Sequence, residues 1–98
     1  MLGKEPLENG DVRIIFRVSH YIWADCIALL GEFNGWDAHS HPLHQTRDDG
    51  EWHTSLVLHA HRAYRFRYLV NGKEWMDDDH ADGYEPNPFG GFDSVVRT

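Results

Sequence analysis

AYRFRYLVNGKEWM, residues 63–76, alternates between apolar and polar side chains and then carries a turn signal. Four apolar side chains share one face of an extended chain with this period of two, namely Tyr64, Phe66, Tyr68 and Val70. Arg65 and Arg67 fall on the opposite face. Asn71-Gly72 then predicts a hairpin turn, because both residues tolerate a positive φ. The stretch is therefore typical of a half-buried strand, a tight turn and the beginning of a return strand.

Shorter stretches on either side show related patterns. VRIIFRV (12–18) and EWHTSLVL (51–58) alternate, CIALLGEF (26–33) is a short apolar run, and SVVRT (94–98) is a last short strand. Turn signals separate these strands about every 8–12 residues, which is typical of a sandwich or barrel. The Asp, Pro and Gly content of residues 77–91 predicts a loop rather than a strand.

Length and composition fit one domain. The chain has 98 residues, of which 41% are apolar, so a single two-layer core is feasible and a separate substrate domain is not. We assign residues 1–10 to a polar N-terminal lead and residues 11–98 to a single β-sandwich of about seven short antiparallel strands.

The formal net charge of −7 argues against nucleic acid and membrane surfaces as partners, because an acidic chain repels phosphate backbones and anionic lipid headgroups. A neutral ligand suits this charge. The N-terminus, MLGKEPLENG, lacks the apolar stretch of a signal peptide, and no segment approaches the ~20 apolar residues of a membrane span. These features predict a soluble, cytoplasmic protein.

Three residues are assigned to the core or to its cover. Cys26 is the only cysteine, which excludes an internal disulfide, and we expect it to pack as a small core residue. Trp52 lies on the inward face of its strand and is predicted to be core. Trp23 lies in the connection SHYIWAD, where we expect it to cover one end of the sandwich.

An indole on a turn is the least expected feature. In LLGEFNGWDAHSHPL (29–43), Trp36 stands directly after Asn34-Gly35, a dipeptide that usually marks a tight, exposed turn. Trp is usually well buried, so at this position a large apolar plane would face water.

Four stretches together carry a resemblance to a known family. LLGEFNGWD (29–37), DGEWHTSLVL (49–58), YRFRYLVNGKEW (64–75) and NPFGGFDSVV (87–96) occur in this order. With them the sequence resembles carbohydrate-binding module family 48, the early-set domain at the front of isoamylases and glycogen branching enzymes. The glycogen-binding domain of the AMP-activated protein kinase β subunit is a relative. The resemblance implies an immunoglobulin-like (early-set) β-sandwich that binds glucan.

The resemblance also implies site residues. Trp36 corresponds to the sugar platform of the FNxW turn, and Trp75 to the second platform after the hairpin turn. Arg67 stands where the kinase domain has a Lys that hydrogen-bonds the sugar. Phe89 and Asp93 fall where that domain has an apolar residue and an Asn. Asp in place of Asn keeps an acceptor and loses two donors.

Sugar chemistry fits these residue types. Glucose in an α-1,4 chain exposes C–H groups on one face and hydroxyls around the rim, so an indole can cover the face while polar groups bind the rim. Two indoles on one sheet face would match the curl of such a chain. In the alternative interpretation, Trp36 and Trp75 pack against the long loop and stay dry.

Metal binding and catalysis are not expected. HSHPLH (39–44) and DDDHAD (77–82) lack zinc-site spacing, and a calcium loop that starts in the second would place Phe89 where the bidentate Glu should be. Glycosidases need two carboxylates that flank the bond in a cleft, which a flat sheet face does not provide. Ser19-His20 and Ser40-His41 are turn neighbours rather than parts of a triad. We predict no catalytic residues, no metal and no cofactor.

The sequence thus predicts non-catalytic binding of α-1,4-linked glucans such as glycogen, starch and maltodextrin. The alternative is a structural or interaction domain with a vestigial sugar site, as a part or partner of an isoamylase-type glycoside hydrolase or branching enzyme. The ends of the chain suit either a stand-alone protein or a trimmed domain.

Overall fold

The computed structural model describes residues 2–19 and 23–98, which form two antiparallel sheets. The strands within these residues are β1 (Leu2–Pro6), β2 (Asp11–Val18), β3 (Ile27–Gly31), β4 (His44–Gln45), β5 (Trp52–His59), β6 (Ala63–Val70), β7 (Glu74–Met76), β8 (Gly83–Pro86) and β9 (Phe92–Arg97). One turn of 3-10 helix, Glu32–Asn34, follows β3. No helix in the described ranges is long and apolar enough to cross a membrane.

The strands divide into two sheets whose order is simple. The first sheet runs β1-β2-β5-β4, and the second runs β3-β6-β9-β8. Strand β7 pairs with β6 over residues 68–70, beyond the end of the β6–β9 pairing. This architecture confirms the prediction of an all-β, immunoglobulin-like (early-set) β-sandwich.

Three strands were not predicted. Strand β1 lies within the segment expected to be a polar lead, and β4 has only two residues. The prediction of a loop was wrong for residues 83–86, because Gly83–Pro86 pairs with β9 as an edge strand. The physical reason is common to all three: β1, β4 and β8 lie at sheet edges and carry mostly exposed or half-buried side chains, so no apolar alternation marks them.

The alternating stretches place one face of each sheet in a shared core, as predicted. The buried apolar residues of this core are Val12, Ile14, Phe16, Val18, Ile27, Leu29, Leu43, Trp52, Leu58, Phe66, Tyr68, Val70 and Val96. Phe16 of the first sheet meets Phe66 of the second edge-on, with ring centroids 5.1 Å apart. Such edge-to-face pairs stabilise a core beyond the area they bury.

Of the three assignments to the core and its cover, one is confirmed and two were wrong. Trp52 is buried in the core, as predicted. Cys26 is exposed, so its core assignment was wrong: the inward positions begin with Ile27, and Cys26 has the opposite orientation in the alternation.

Trp23 does not cover the sandwich, and this prediction was also wrong. Its side chain is 95% exposed, and the neighbouring Ala24 packs against the core instead. The preceding residues 20–22, which include His20 of the Ser19-His20 pair, lie outside the described residues.

An ion pair joins the two sheets at their edges. Lys4 Nζ of β1 lies 2.7 Å from Asp82 Oδ2, and the backbone N–H of Arg97 in β9 donates to the same carboxylate oxygen at 2.7 Å. Partial burial raises the pKa of Asp82, but the Arg97 N–H and the Lys4 ammonium outweigh it and hold that pKa below its usual value. Asp82 therefore contributes most to stability when it is ionised.

Candidate functional site

A cavity of about 640 Å³ opens on the outer face of the second sheet. Its lining residues are Glu32, Trp36, Arg65, Arg67, Trp75, Asn87, Pro88, Phe89 and Asp93. All five residues that the resemblance implied as sugar contacts are therefore brought together around one cavity. They come from the turn after β3, from β6 and β7, and from the β8–β9 hairpin.

The turn after β3 holds Trp36 in an unusual backbone conformation. Asn34 Oδ1 accepts the backbone N–H of Gly31 at 3.0 Å, and the Trp36 N–H donates to the Gly31 carbonyl at 2.9 Å. Gly35 and Trp36 both have positive φ, 63° and 60°. A bulky residue in this left-handed region is an outlier that persists only where its surroundings impose it, and such outliers cluster at functional sites.

Gly31 is required for this turn. A Cβ atom at position 31 would lie 2.6 Å from the Phe33 ring and 2.7 Å from the Arg65 carbonyl oxygen. The backbone of β3 can therefore approach β6 closely only without a side chain at this point. The approach sets the point at which the turn leaves the sheet, and hence the position of the Trp36 indole, which is 37% exposed.

Trp75 reaches the same face through the hairpin. Asn71 and Gly72 adopt φ of 54° and 68°, which confirms the predicted turn. The β6–β7 register sets Trp75 opposite Leu69, on the face that also carries Arg67. The Trp75 side chain is 48% exposed at the cavity.

Arg67 points outward, as predicted, and is held from two sides. Its guanidinium carbon lies 5.6 Å from the centroid of the Trp75 ring, and its Nε donates to Asp77 Oδ1 at 3.1 Å. The cation thus stacks beside one platform while a carboxylate compensates its charge. Nη1 has no protein partner within the described residues, and Arg67 lines the cavity, so this nitrogen can donate to a ligand there.

Phe89 stands at the tip of the β8–β9 hairpin and is 93% exposed. Asn87 closes the loop beneath it: Asn87 Oδ1 accepts the backbone N–H groups of Phe89 at 3.0 Å and of Gly91 at 3.1 Å. Asn87 Nδ2 donates to Asp93 Oδ1 at 3.2 Å. One amide side chain therefore ties the loop that carries Phe89 to the strand that carries Asp93.

Asp93 is the most buried of the implied site residues, at 8% exposure. While Oδ1 accepts from Asn87, Oδ2 lies 3.5 Å from Arg65 Nη1. Arg65 also pairs with Glu85, with 2.6 Å between Nη2 and Oε2, and donates to the Pro86 carbonyl. The Asp93 carboxylate is thus already engaged by protein groups on both oxygens.

Four lining residues were missed by the sequence analysis: Glu32, Arg65, Asn87 and Pro88. The period of two already placed Arg65 on the same face as Arg67, so this residue could have been found. Glu32 and Asn87 act through contacts with the backbone of other segments or of their own loop, and no sequence pattern marks such contacts.

Metal ligands are not gathered at this site. Within residues 2–19 and 23–98, no group of three or more His, Cys, Asp or Glu side chains is arranged to hold a metal ion. The absence of a metal and of a cofactor remains a prediction.

An early-set β-sandwich with an aromatic-lined cavity on one sheet is the class of protein that these features define. The profile of carbohydrate-binding module 48 (isoamylase N-terminal domain) matches residues 2–85, and the chain belongs to this family. The match ends before Asn87, Phe89 and Asp93, so their place at the cavity rests on the structure.

Curated relatives share this region. The chain is 34% identical over 72 residues, 69% of its length, to a 1,4-alpha-glucan branching enzyme GlgB of Novosphingobium aromaticivorans. It is 31% identical over 75 residues, 72% of its length, to GlgB of Mycobacterium tuberculosis, and 33% identical over 76 residues, 74% of its length, to GlgB 2 of Xanthomonas euvesicatoria pv. vesicatoria. In each case the matched region covers 10% of the relative, so the chain corresponds to a small part of these enzymes.

Proposed function

We propose that this chain binds α-1,4-linked glucans such as glycogen, starch and maltodextrin, and that it does so without catalysis. The observation that carries the proposal is the lining of one open cavity by Trp36, Trp75 and Phe89 together with the Arg67 guanidinium. Membership in a carbohydrate-binding module family supports it.

The chemistry follows from the surfaces that meet. The C–H face of a glucose ring packs on an indole and loses water, while Arg67 donates to rim hydroxyls. The half-exposed indoles need little rearrangement, because backbone hydrogen bonds hold the Trp36 turn, and strand pairing together with the Arg67 guanidinium holds Trp75. Preorganised rings reduce the entropy lost on binding.

Catalysis is not supported by the carboxylates at the cavity. A glycosidase needs a proton donor and a second carboxylate on opposite sides of the scissile bond. Asp93 is buried between Asn87 and Arg65, and Glu32 accepts the backbone N–H of Arg65. We therefore assign the chain to binding, with a glucan polysaccharide or oligosaccharide as its partner.

The second candidate is a structural or interaction domain that serves a glucan-metabolising enzyme and whose sugar site is vestigial. The observation that favours it is the engaged state of Asp93, which lacks the donors of the Asn in the kinase domain. In either role we propose a cytoplasmic location, with no nucleic acid and no membrane as partner.

Affinity electrophoresis separates the two candidates. The parent chain should be retarded in gels that contain glycogen and not in gels that contain a soluble β-1,4-glucan. Trp36→Ala should remove most of the retardation, since truncation of an anchor aromatic costs ~2 kcal/mol or more, roughly thirtyfold in affinity. A parent chain that migrates freely through glycogen would favour the vestigial domain instead.

A further inference from the structure

Glu32 is held at the edge of the cavity by the backbone of β6. Strand β3 ends at Gly31, which pairs with Phe66. Arg65 precedes Phe66 on β6, and its backbone N–H donates to Glu32 Oε1 at 2.6 Å. The Glu32 carboxylate thus accepts a backbone N–H of β6 just beyond the last residue pair of β3 and β6. This hydrogen bond fixes it beside the turn that carries Trp36.

The second oxygen of Glu32 is different. Within the described residues, Glu32 Oε2 has no protein partner, and the side chain is exposed and lines the cavity. Asp93, the other carboxylate among the described lining residues, is already engaged by Asn87 and Arg65. The carboxylates that pair with the two lining arginines are engaged as well, Asp77 by Arg67 and Glu85 by Arg65. Among the described residues that line the cavity, Glu32 is therefore the carboxylate that can accept hydrogen bonds from a ligand.

The charges at the cavity also favour Glu32 as a contact for a neutral ligand. Both lining arginines have carboxylate partners, so neither presents an uncompensated positive charge. Glu32 adds a negative charge that no cation pairs with in the described part of the chain, which as a whole has a formal charge of −7. A neutral polyol can donate to such a carboxylate, whereas an anionic sugar is repelled.

We propose that Glu32 Oε2 accepts hydrogen bonds from hydroxyl groups of the bound glucan, and that this carboxylate makes the site selective for neutral over anionic glucans. The inference rests on the proposed function and names a specificity-determining residue for it. Glu32 is thus both a backbone cap and a ligand contact.

The test uses maltoheptaose and a maltoheptaose that carries phosphate esters, with both affinities measured by calorimetry. Glu32→Gln keeps an oxygen for the Arg65 N–H and removes the charge. We expect it to weaken maltoheptaose binding about tenfold, as the loss of hydrogen bonds to an ionised group does. We also expect Glu32→Gln to reduce the ratio of the affinity for maltoheptaose to the affinity for the phosphorylated maltoheptaose. The matched control is Glu8→Gln, an exposed carboxylate in the β1–β2 turn, which should change neither value.

The outcomes distinguish the two levels of the proposal. A parent chain that binds neither sugar would end the proposed function itself. A parent chain that binds maltoheptaose, with a Glu32→Gln variant that binds it equally well, would overturn this inference alone and leave Glu32 as a backbone cap. The parent offers a second measurement that needs no variant: its preference for the neutral sugar should shrink as salt screens the carboxylate, and a preference unaffected by salt would contradict the charge argument.

Discussion

The guanidinium carbon of Arg67 lies 5.6 Å from the centroid of the Trp75 ring, on the outer face of the second sheet. Asp77 fixes the same guanidinium through Nε at 3.1 Å. Arg67 therefore supports the ring of Trp75 in addition to offering donors to a ligand. Strand pairing alone would not restrict the indole to one rotamer.

Replacement of Arg67 tests these two roles together. Arg67→Lys keeps a positive charge but loses the planar fork, and Arg67→Ala loses both. We expect both variants to bind glycogen more weakly than the parent. Arg67→Ala should lose about 1–2 kcal/mol of binding free energy relative to the parent, the sum of a cation–π contact and a rim hydrogen bond. Calorimetric titration with maltoheptaose measures the losses. Equal affinity of the parent and Arg67→Ala would contradict the role of this side chain.

The positive φ of Trp36 gives a prediction about stability. Trp36→Ala and Trp36→Gly both remove the indole and should both abolish most of the binding. Their stabilities should differ, because Ala at a φ of 60° keeps the backbone strain and Gly relieves it. We expect Trp36→Gly to be more stable than Trp36→Ala by about 1 kcal/mol, measured by urea unfolding. At positions with negative φ, Ala is usually more stable than Gly. If Trp36→Ala were more stable than Trp36→Gly, the turn would have changed conformation in the variants.

Asn87 is predicted to act through Phe89. Asn87→Ala removes the acceptor that holds the loop, so Phe89 loses its fixed place and the affinity should fall about as far as in Phe89→Ala. The double variant should bind no more weakly than Phe89→Ala alone, because the two changes remove one shared effect. Additive losses in this double-mutant cycle would show that Asn87 contributes independently of the Phe89 loop.

Trp52 is predicted to matter for folding and not for binding. Trp52→Ala should lower the free energy of unfolding by ~3–5 kcal/mol, as expected for the deletion of a core aromatic side chain. Its Nε1 is buried without a partner among the described residues. Trp52→Phe keeps an aromatic ring and removes this unpaired donor, so it should cost far less than Trp52→Ala. Denaturant unfolding compares the two, and similar losses would argue that the indole itself is required.

Asp82 gives a pH dependence. Its pKa is lowered in the folded chain, so ionised Asp82 stabilises the fold above the unfolded value of about 3.8, and this contribution disappears as the pH falls through the lower, folded value. Asp82→Asn should therefore cost about 1 kcal/mol near neutral pH, after allowance for partial exposure of the Lys4 pair, and almost nothing in strong acid. Unfolding curves over a pH series test this, with Asp48→Asn in the exposed β4–β5 turn as control. A loss that persists in acid would exclude the charge as its cause.

The strands that the sequence predicted are those with one buried face. Alternation identified β2, β5 and β6, since burial on one side imposes a period of two. The edge strands β1 and β8 carry Lys4, Glu5 and Glu85 and are held by backbone pairing, which does not select side chains. Cys26 was misassigned because its apolar run begins one position before the inward-facing residues do.

At the candidate site, the exposed aromatic residues could be predicted and their supports could not. Trp36 and Trp75 are visible as indoles next to turn signals. Glu32 and Asn87 become part of the site through hydrogen bonds to backbone groups, in one case across 33 positions of the chain. The sequence located the turn after β3 at Asn34-Gly35, but it did not predict that the left-handed residues there are Gly35 and Trp36.

The left-handed backbone at Trp36 limits how this domain can be engineered. Only Gly, Asn or Asp would relax that position, and none of them carries an aromatic ring. Tyr or Phe would keep a ring and inherit the strain. A library selected for thermal stability alone would therefore lose the aromatic ring at position 36. A library selected for binding to an immobilised glucan would keep it. The amino acid recovered at position 36 would thus show whether stability or binding had been selected.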